Sequence, residues 1–314
     1  MIELIGVTKF YGNKVAVDHL DLTVAQGEMF AFLGPNGAGK TTTIKMLCGL
    51  LEPTDGLVEL AGQQGRLRSE SVRRRVGYMS QKFSLYDDLT VDENLDFFAG
   101  VYGVPPAQRA DRARWVLDFA GLAGRGEQLT GLLPGGWKQR VAFGAAIMHE
   151  PRVLFLDEPT SGVDPIARRA FWAAINRLAD QGTAILVTTH YLEEAEQCNR
   201  LGFMVAGQLV TEGTPSGVKE AQRGRVLEIR TTDPQRALGV LKSEMEPWRV
   251  SLFGERLHVI VDGDADTEAK RLAARLDRES IRTLETMAQD YSLEDVFLAI
   301  AARDERGAAK AAAA

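Results

Sequence analysis

Residues 2–23 alternate apolar and polar positions on either side of Tyr11-Gly12-Asn13, which predicts short antiparallel strands joined by a turn. The apolar run at 29–33 then predicts a buried strand, 34–39 a glycine-rich loop, and 40–47 a helix. Between 91 and 149 apolar positions recur at helical spacing. They begin in Val91-Asp92-Glu93-Asn94-Leu95 after a Thr90 cap and return over 110–120 after Pro105-Pro106, so this stretch reads as a helical insert. From Val153 the order is strand, helix, strand, at 153–156, 165–179 and 184–188, and such unbroken apolar strands suit a parallel sheet covered by helices. Composition shifts after Gly207, and Thr214-Pro215-Ser216-Gly217 followed by Gln222-Arg223-Gly224-Arg225 marks a boundary. The first domain is thus expected over 1–220 and a second over 225–301.

In the second domain the pattern predicts strand 226–231, helix 234–241, strands 249–253 and 256–261 around a Gly254-Glu255 turn, helix 267–277 and strand 281–287. That βαββαβ order fits a small ferredoxin-like α+β domain. A final amphipathic helix at 293–301 precedes a charged, then alanine-rich stretch, 302–314, which is expected to be a disordered tail.

Composition narrows the chemistry. With 314 residues the chain has room for one large domain or about two ordinary ones. Hydrophobic residues at 45% and charged residues at 25% place it among soluble globular proteins. A net charge of −6 and a pI near 5.4 offer no broad basic footprint for phosphate backbones, so no nucleic-acid partner is expected. The two cysteines, Cys48 and Cys198, are too few for a disulfide scaffold and suggest a reducing compartment, the cytosol by default. No apolar run approaches the roughly 20 residues of a membrane helix, and Met1-Ile2-Glu3-Leu4 has no basic and apolar regions of a secretion signal. A membrane role is expected to come through a partner.

The chemistry begins at Gly34-Pro35-Asn36-Gly37-Ala38-Gly39-Lys40-Thr41, which fills every fixed position of G-x-x-x-x-G-K-[ST] between a predicted strand and a predicted helix. Glycines let successive N–H groups turn toward phosphate oxygens, and the helix N-terminus adds its positive end. Lys40 would then reach the β/γ-phosphates, and the Thr41 hydroxyl would ligate Mg²⁺. A bare glycine-rich turn is the plainer reading, but both flanks argue against it. The strand at 153–156 ends in Asp157-Glu158. In a P-loop NTPase Asp157 would hold Mg²⁺ through water, while Glu158 would lie where an attacking water gives up its proton. Two acids after a buried strand also fit a helix cap, and the P-loop upstream favours metal ligand plus base.

Further along come Gln81, Pro134-Gly135-Gly136-Trp137-Lys138-Gln139-Arg140, Ser161-Gly162-Val163-Asp164 and Thr189-His190. Taken together over about residues 2–220, this order resembles the ATP-binding cassette (ABC) ATPases of membrane transporters. It is most similar to drug-exporter cassettes whose small C-terminal domain ends in a segment like Ser292-Leu293-Glu294-Asp295-Val296-Phe297-Leu298. The resemblance implies an α/β P-loop core with an antiparallel β subdomain and a helical subdomain at about 91–149. Its cofactors would be ATP and Mg²⁺. Tyr11 would stack on adenine, and Gly34, Pro35, Asn36, Gly37, Ala38, Gly39, Lys40, Thr41 and Thr42 would hold the phosphates. Thr41, Gln81 and Asp157 would serve Mg²⁺, Gln81 also meeting the attacking water and sensing the membrane subunit. Glu158, His190, Gln81 and Lys40 would be catalytic, with His190 at the γ-phosphate. Tyr11 also reads as a core or turn tyrosine, and His19, His149 and His258 as structural or surface residues.

Because the family's site is split, Gly135 and Gly136 would bind the nucleotide held by a second copy, with Asp164 near the seam of a head-to-tail homodimer. Residues 82–95, with Phe83, Leu85 and Tyr86 as apolar anchors beside Asp87-Asp88, would receive an integral membrane permease subunit, though an ordinary loop fits this stretch too. The chain would then work at the cytoplasmic face of the inner membrane of a bacterium, driving export, with room for a periplasmic adaptor reached through the permease. Import, or a soluble ABC ATPase of DNA repair or translation, is the alternative. The family's serine is replaced by Pro134, which removes a hydroxyl and an N–H donor and is expected to weaken closure without abolishing it.

Overall fold

The structure, a computed structural model, describes residues 1–64, 67, 69–81 and 85–312, with side chains as far as Ala302. Lys82 and Phe83, expected at the partner surface, lie outside the described residues. Contacts divide the chain into Met1–Glu212 and Gly213–Ala314.

In the first unit β1 (Ile2–Tyr11) and β2 (Lys14–Val24) form the expected antiparallel pair. They are followed by β3 (Met29–Leu33), α1 (Lys40–Leu47), β4 (Asp55–Leu60), the short β5 (Gln63–Gln64), α2 (Glu70–Arg73) and β6 (Val76–Met79). The helical insert comprises α3 (Val91–Val101), α4 (Pro106–Ala120) and α5 (Gly135–Ile147). Next come β7 (Val153–Asp157), α6 (Pro165–Asp180), β8 (Ala184–Thr188), α7 (Leu192–Ala195), β9 (Arg200–Val205) and β10 (Gln208–Gly213).

One sheet runs β2-β1-β4-β5, the other β10-β9-β3-β8-β7-β6. The second sheet's interior is parallel, with β3 paired to β8 and β9 and β7 paired to β6 and β8. Every residue of β3, β7 and β8 is buried, as expected for strands covered on both faces. Phe30, Phe32 and Phe155 join residues of β1, β2 and α1 in one apolar core. This buried apolar area, at roughly 25 cal/mol per Å², is what holds the strand ends rigid beneath the loops that carry the chemistry.

Local signals set the helix ends. Thr90 closes a capping box on α3, its side chain accepting from Glu93 N–H while Glu93 accepts from Thr90 N–H. Asp164 caps α6, with Pro165 in its first turn. α4 starts at Pro106 rather than at 110, because proline at N1 fixes a helical φ at no hydrogen-bond cost. His149 is structural, as expected: its ring stacks on Tyr102 at 4.0 Å and its Nε2 meets the Val76 carbonyl at 3.1 Å. Burial pushes its pKa down to about 4.

The second unit runs α8 (Pro215–Glu220), β11 (Arg225–Thr231), α9 (Pro234–Glu244), β12 (Val250–Phe253), β13 (Arg256–Val261), α10 (Ala265–Arg278), β14 (Thr283–Gln289) and α11 (Leu293–Ala312). The strand and helix order read from the sequence is the order found, and the strands form an antiparallel sheet β12-β13-β11-β14. Two expectations differ. α8 packs on α11 and so belongs to this unit, which places the boundary at Glu212/Gly213 rather than at 220–225. The helix expected to end at 301 continues to Ala312, since its alanine, arginine, glutamate and lysine residues are strong helix formers and outnumber the weaker Asp304 and Gly307.

The final helix carries the segment singled out by resemblance. Ser292 and Asp295 bond reciprocally at its start, Asp295 N–H donating to Ser292 Oγ at 3.1 Å and Ser292 N–H to Asp295 Oδ2 at 3.0 Å. The other carboxylate oxygen of Asp295 lies 3.0 Å from His258 Nδ1 on β13. Leu293, Val296 and Ala299 are buried on the same helix.

Candidate active site

The glycine-rich loop leaves β3 and enters α1, as its spacing requires. Gly34, Gly37 and Gly39 have φ of +147°, +82° and +112°, a region that favours glycine. At Gly39 a side chain would also run into the Ala16 carbonyl at 2.5 Å. α1 has no side-chain cap, so its first amides stay available to an anion. Lys40 is buried, and its ammonium donates to the carbonyls of Gly34 at 2.7 Å and Pro35 at 3.0 Å. Burial lowers its pKa, and the nearby Glu158 and Asp157 charges partly offset that.

Parallel pairing of β7 and β8 brings Asp157 opposite Thr188. Thr188 Oγ1 donates to Asp157 Oδ1 at 2.5 Å, and the same Asp157 oxygen lies 3.5 Å from Thr41 Oγ1. A hydroxyl and a buried carboxylate converging at the loop suit a hard divalent cation, so the donor set fits Mg²⁺. Glu158 takes a left-handed backbone, φ +50°, held by its N–H to the carbonyl and Oγ1 of Thr188, each at 3.1 Å. Its Oε2 accepts from Gln81 Nε2 at 2.9 Å and lies 3.6 Å from His190 Nδ1. A carboxylate oxygen between an amide donor and an imidazole is placed to accept a proton from water.

The structure therefore brings Thr41 to Asp157, and Gln81 and His190 to Glu158, while the Lys40 ammonium lies within the field of the Glu158 and Asp157 charges. Tyr11 stands at the end of β1, 50% exposed, its ring under Lys9 Nζ at 5.7 Å. Gly135 and Gly136 open α5, whose N-cap is Pro134 with no side-chain cap bond. The N–H groups of Trp137 and Lys138 bond back to the Pro134 carbonyl, and among the described residues nothing holds those of Gly135 and Gly136. Trp137 packs its ring against Arg125, 5.1 Å away. The Asp164 carboxylate is spent on the amides of Ile166 and Ala167, which hold it below the usual carboxylate range.

Sequence reasoning missed three contributors. Thr188 ties Asp157 to Glu158, Gln139 donates to the Pro159 carbonyl at 2.8 Å, and Glu194 sits buried beneath the two loops. Gln139 had a signal, since it lies in the segment quoted for the resemblance. Of the expected apolar anchors, Leu85 proves buried, and Tyr86, 47% exposed, pairs instead with Phe97 of α3, 43% exposed, the ring centroids 5.0 Å apart.

The ABC transporter family matches residues 17–161. The probable multidrug ABC transporter ATP-binding protein YbhF of Escherichia coli (strain K12) is 47% identical over 219 residues, which is 70% of this chain but only 38% of that protein's length. The Nod factor export ATP-binding protein I of Paraburkholderia xenovorans (strain LB400) is 39% identical over 307 residues, 96% of this chain and 97% of the relative. Among solved structures, the ATP-binding subunit of an ABC transporter superposes with a TM-score of 0.66 at 31% identity, over 70% of this chain and 92% of its own. A dimeric ATP-binding cassette in a post-hydrolysis state bound to ADP and Pi does so at 0.64 and 27%, over 68% and 98%. The chain is an ATP-binding cassette and belongs to the ABC transporter family.

Proposed function

We propose that this cassette is the ATPase subunit of an export system, and that it hydrolyses ATP to drive transport through separate integral membrane subunits. The observation that carries the enzymatic part is the Gln81–Glu158–His190 cluster beside Lys40 and Asp157 at the strand ends. The loop from Gly34 to Thr42 holds the phosphates and Tyr11 faces the base. Thr41, Asp157 and Gln81 would hold Mg²⁺, which when bound would offset phosphate charge. Glu158 takes the proton of the attacking water, Gln81 orients that water, and His190 meets the terminal phosphate.

Export is favoured by relatives named for multidrug and Nod factor export, the latter sharing nearly the whole chain. The working unit is a head-to-tail homodimer, in which the free amides of Gly135 and Gly136 complete the partner's site and Asp164 lies near the seam. The exposed pair Tyr86 and Phe97 is the apolar part of the surface offered to the membrane subunit. Among the described residues no helix is long and apolar enough to cross a membrane. Attachment at the cytoplasmic face runs through that partner.

Tagged Glu158→Gln protein, expressed in its native cell, solubilised in mild detergent and purified with Mg-ATP, tests the transport reading. A multi-span membrane protein is expected to co-purify stoichiometrically, and recovery of soluble proteins or nucleic acid alone would overturn it. A second expectation concerns the altered signature. Pro134→Ser restores a hydroxyl and an N–H at the opening of α5, and charge-assisted hydrogen bonds contribute about 1.5–3 kcal/mol each, so turnover should rise about tenfold or more. Steady-state ATPase of the two proteins decides it, and equal rates would mean that the missing donors do not limit closure.

A further inference from the structure

We infer that Glu194 is a positioning residue for hydrolysis: its buried carboxylate ties the loop after Glu158 to the loop that carries His190, and so sets the spacing of base and histidine. This rests on the reading of Glu158 as the base. Glu194 lies on α7 and is 1% exposed. Its Oε1 accepts from Thr160 Oγ1, and its Oε2 accepts from Thr189 Oγ1 at 2.6 Å. Thr160 follows Glu158-Pro159, and Thr189 directly precedes His190.

Thr189 Oγ1 is fixed twice, since it also accepts from the Tyr191 N–H at 3.0 Å. A second link runs through aromatic rings. Arg168 of α6 places its guanidinium 3.9 Å from the Tyr191 ring centroid, and that ring lies 4.1 Å from the ring of His190. Arg168 Nε is 3.5 Å from Glu194 Oε1, an ion pair without hydrogen-bond geometry, which supplies the counter-charge a buried carboxylate requires.

The tie acts where the sheet no longer does. Pairing of β7 with β8 ends at Asp157 and Thr188 with the Glu158 N–H bonded to the Thr188 carbonyl, so residues 159–160 and 189–191 lie beyond the last ladder bond. Glu158 also holds a left-handed backbone, which persists only where its surroundings impose it. α7 spans only 4 residues and cannot fix these loops by its own hydrogen bonds. Burying a carboxylate there is costly unless every oxygen is used, and here one oxygen serves each loop.

The test removes the hydroxyls without changing their shape. In the full chain, the double variant Thr160→Val, Thr189→Val is compared with Thr160→Ser, Thr189→Ser and with Glu194→Ala for kcat, KM for ATP, equilibrium ATP affinity and thermal midpoint. Small misplacements at a reacting centre cost up to about 10²-fold, so kcat of the valine and alanine variants should fall at least about tenfold, with ATP affinity within about threefold of the wild type. The serine variant should recover most of the rate. The thermal midpoint of the valine variant should fall, since it leaves a buried carboxylate without its donors, and rates are compared below that midpoint. Equal kcat in the valine and serine variants would overturn the proposal, as would a valine variant whose ATP affinity falls as far as its rate, because Glu194 would then only support the fold. A wild-type chain that binds ATP without turning it over would instead remove the reading of Glu158, and this inference with it.

Discussion

Glu158→Gln should lower ATP turnover about 10²- to 10⁴-fold, the range a positioned proton acceptor contributes, while leaving ATP binding intact. Glutamine keeps the size of the side chain and an oxygen able to accept from Gln81, which stands 2.9 Å from Glu158 Oε2. What it lacks is the capacity to take a proton. The closed, ATP-loaded dimer should therefore persist, visible as a shift from monomer to dimer on gel filtration with Mg-ATP. Because the backbone φ of +50° at this position is held by Thr188 and not by the carboxylate, the fold should be unaffected. Turnover within about threefold of wild type would show that the proton leaves by another route.

Asp295→Ala should destabilise the C-terminal unit by about 1–3 kcal/mol, because it leaves the Ser292 groups at the start of α11 and the Nδ1 of His258 without their acceptor, while His258 keeps Glu228 at 3.6 Å. Asp295 is 1% exposed and serves both the start of α11 and His258. Amide exchange should report lost protection on β11, β13 and α11, with β3, β7 and β8 unchanged. Unchanged exchange in the C-terminal unit would mean that the pair contributes no net stability.

The pH dependence follows from both partners. Burial would raise the Asp295 pKa, but hydrogen bonds from His258 and Ser292 prevail and hold it below its ordinary value. Its contribution is thus present above about pH 4, the unfolded value, and is lost as pH falls through the lowered folded value. Burial would lower the His258 pKa, but the hydrogen bond and charge of Asp295, with Glu228, raise it. That contribution is present below about pH 6.5 and is lost as pH rises through the raised folded value. The difference in stability between wild type and Asp295→Asn should therefore be greatest between about pH 4 and 6.5.

Legibility in the sequence followed the distance over which each feature is made. The phosphate loop is one contiguous segment, and the residues that turn it are those that start α1, so Gly34 to Thr41 could be read directly. β3, β7 and β8 were equally plain because unbroken apolar runs have few other uses. β4 and β10 were not read, since their exposed polar positions look like loop until a neighbouring strand supplies the pairing. Glu194 illustrates the limit for the site. It stands in the polar run Glu193-Glu194-Ala195-Glu196, and Glu193 and Glu196 are exposed while Glu194 is buried. Only the approach of Thr160 and Thr189 distinguishes it, and that approach is tertiary. The anchors divide for a similar reason: Leu85 is turned inward while Tyr86 beside it stays exposed, a difference that tertiary packing makes.

The two cysteines bear on how the motions of this cassette can be followed. Cys198 is buried with its thiol pushed up to about 12, and burial raises that of Cys48 as well. Neither offers much thiolate near neutral pH, so the buried Cys198 should stay inert to maleimides and the partly buried Cys48 should react slowly. A cysteine introduced on an exposed turn would then be the fastest-reacting thiol on the native background. Spectroscopic reporters of closure can be attached to the wild-type sequence without first stripping residues from the core.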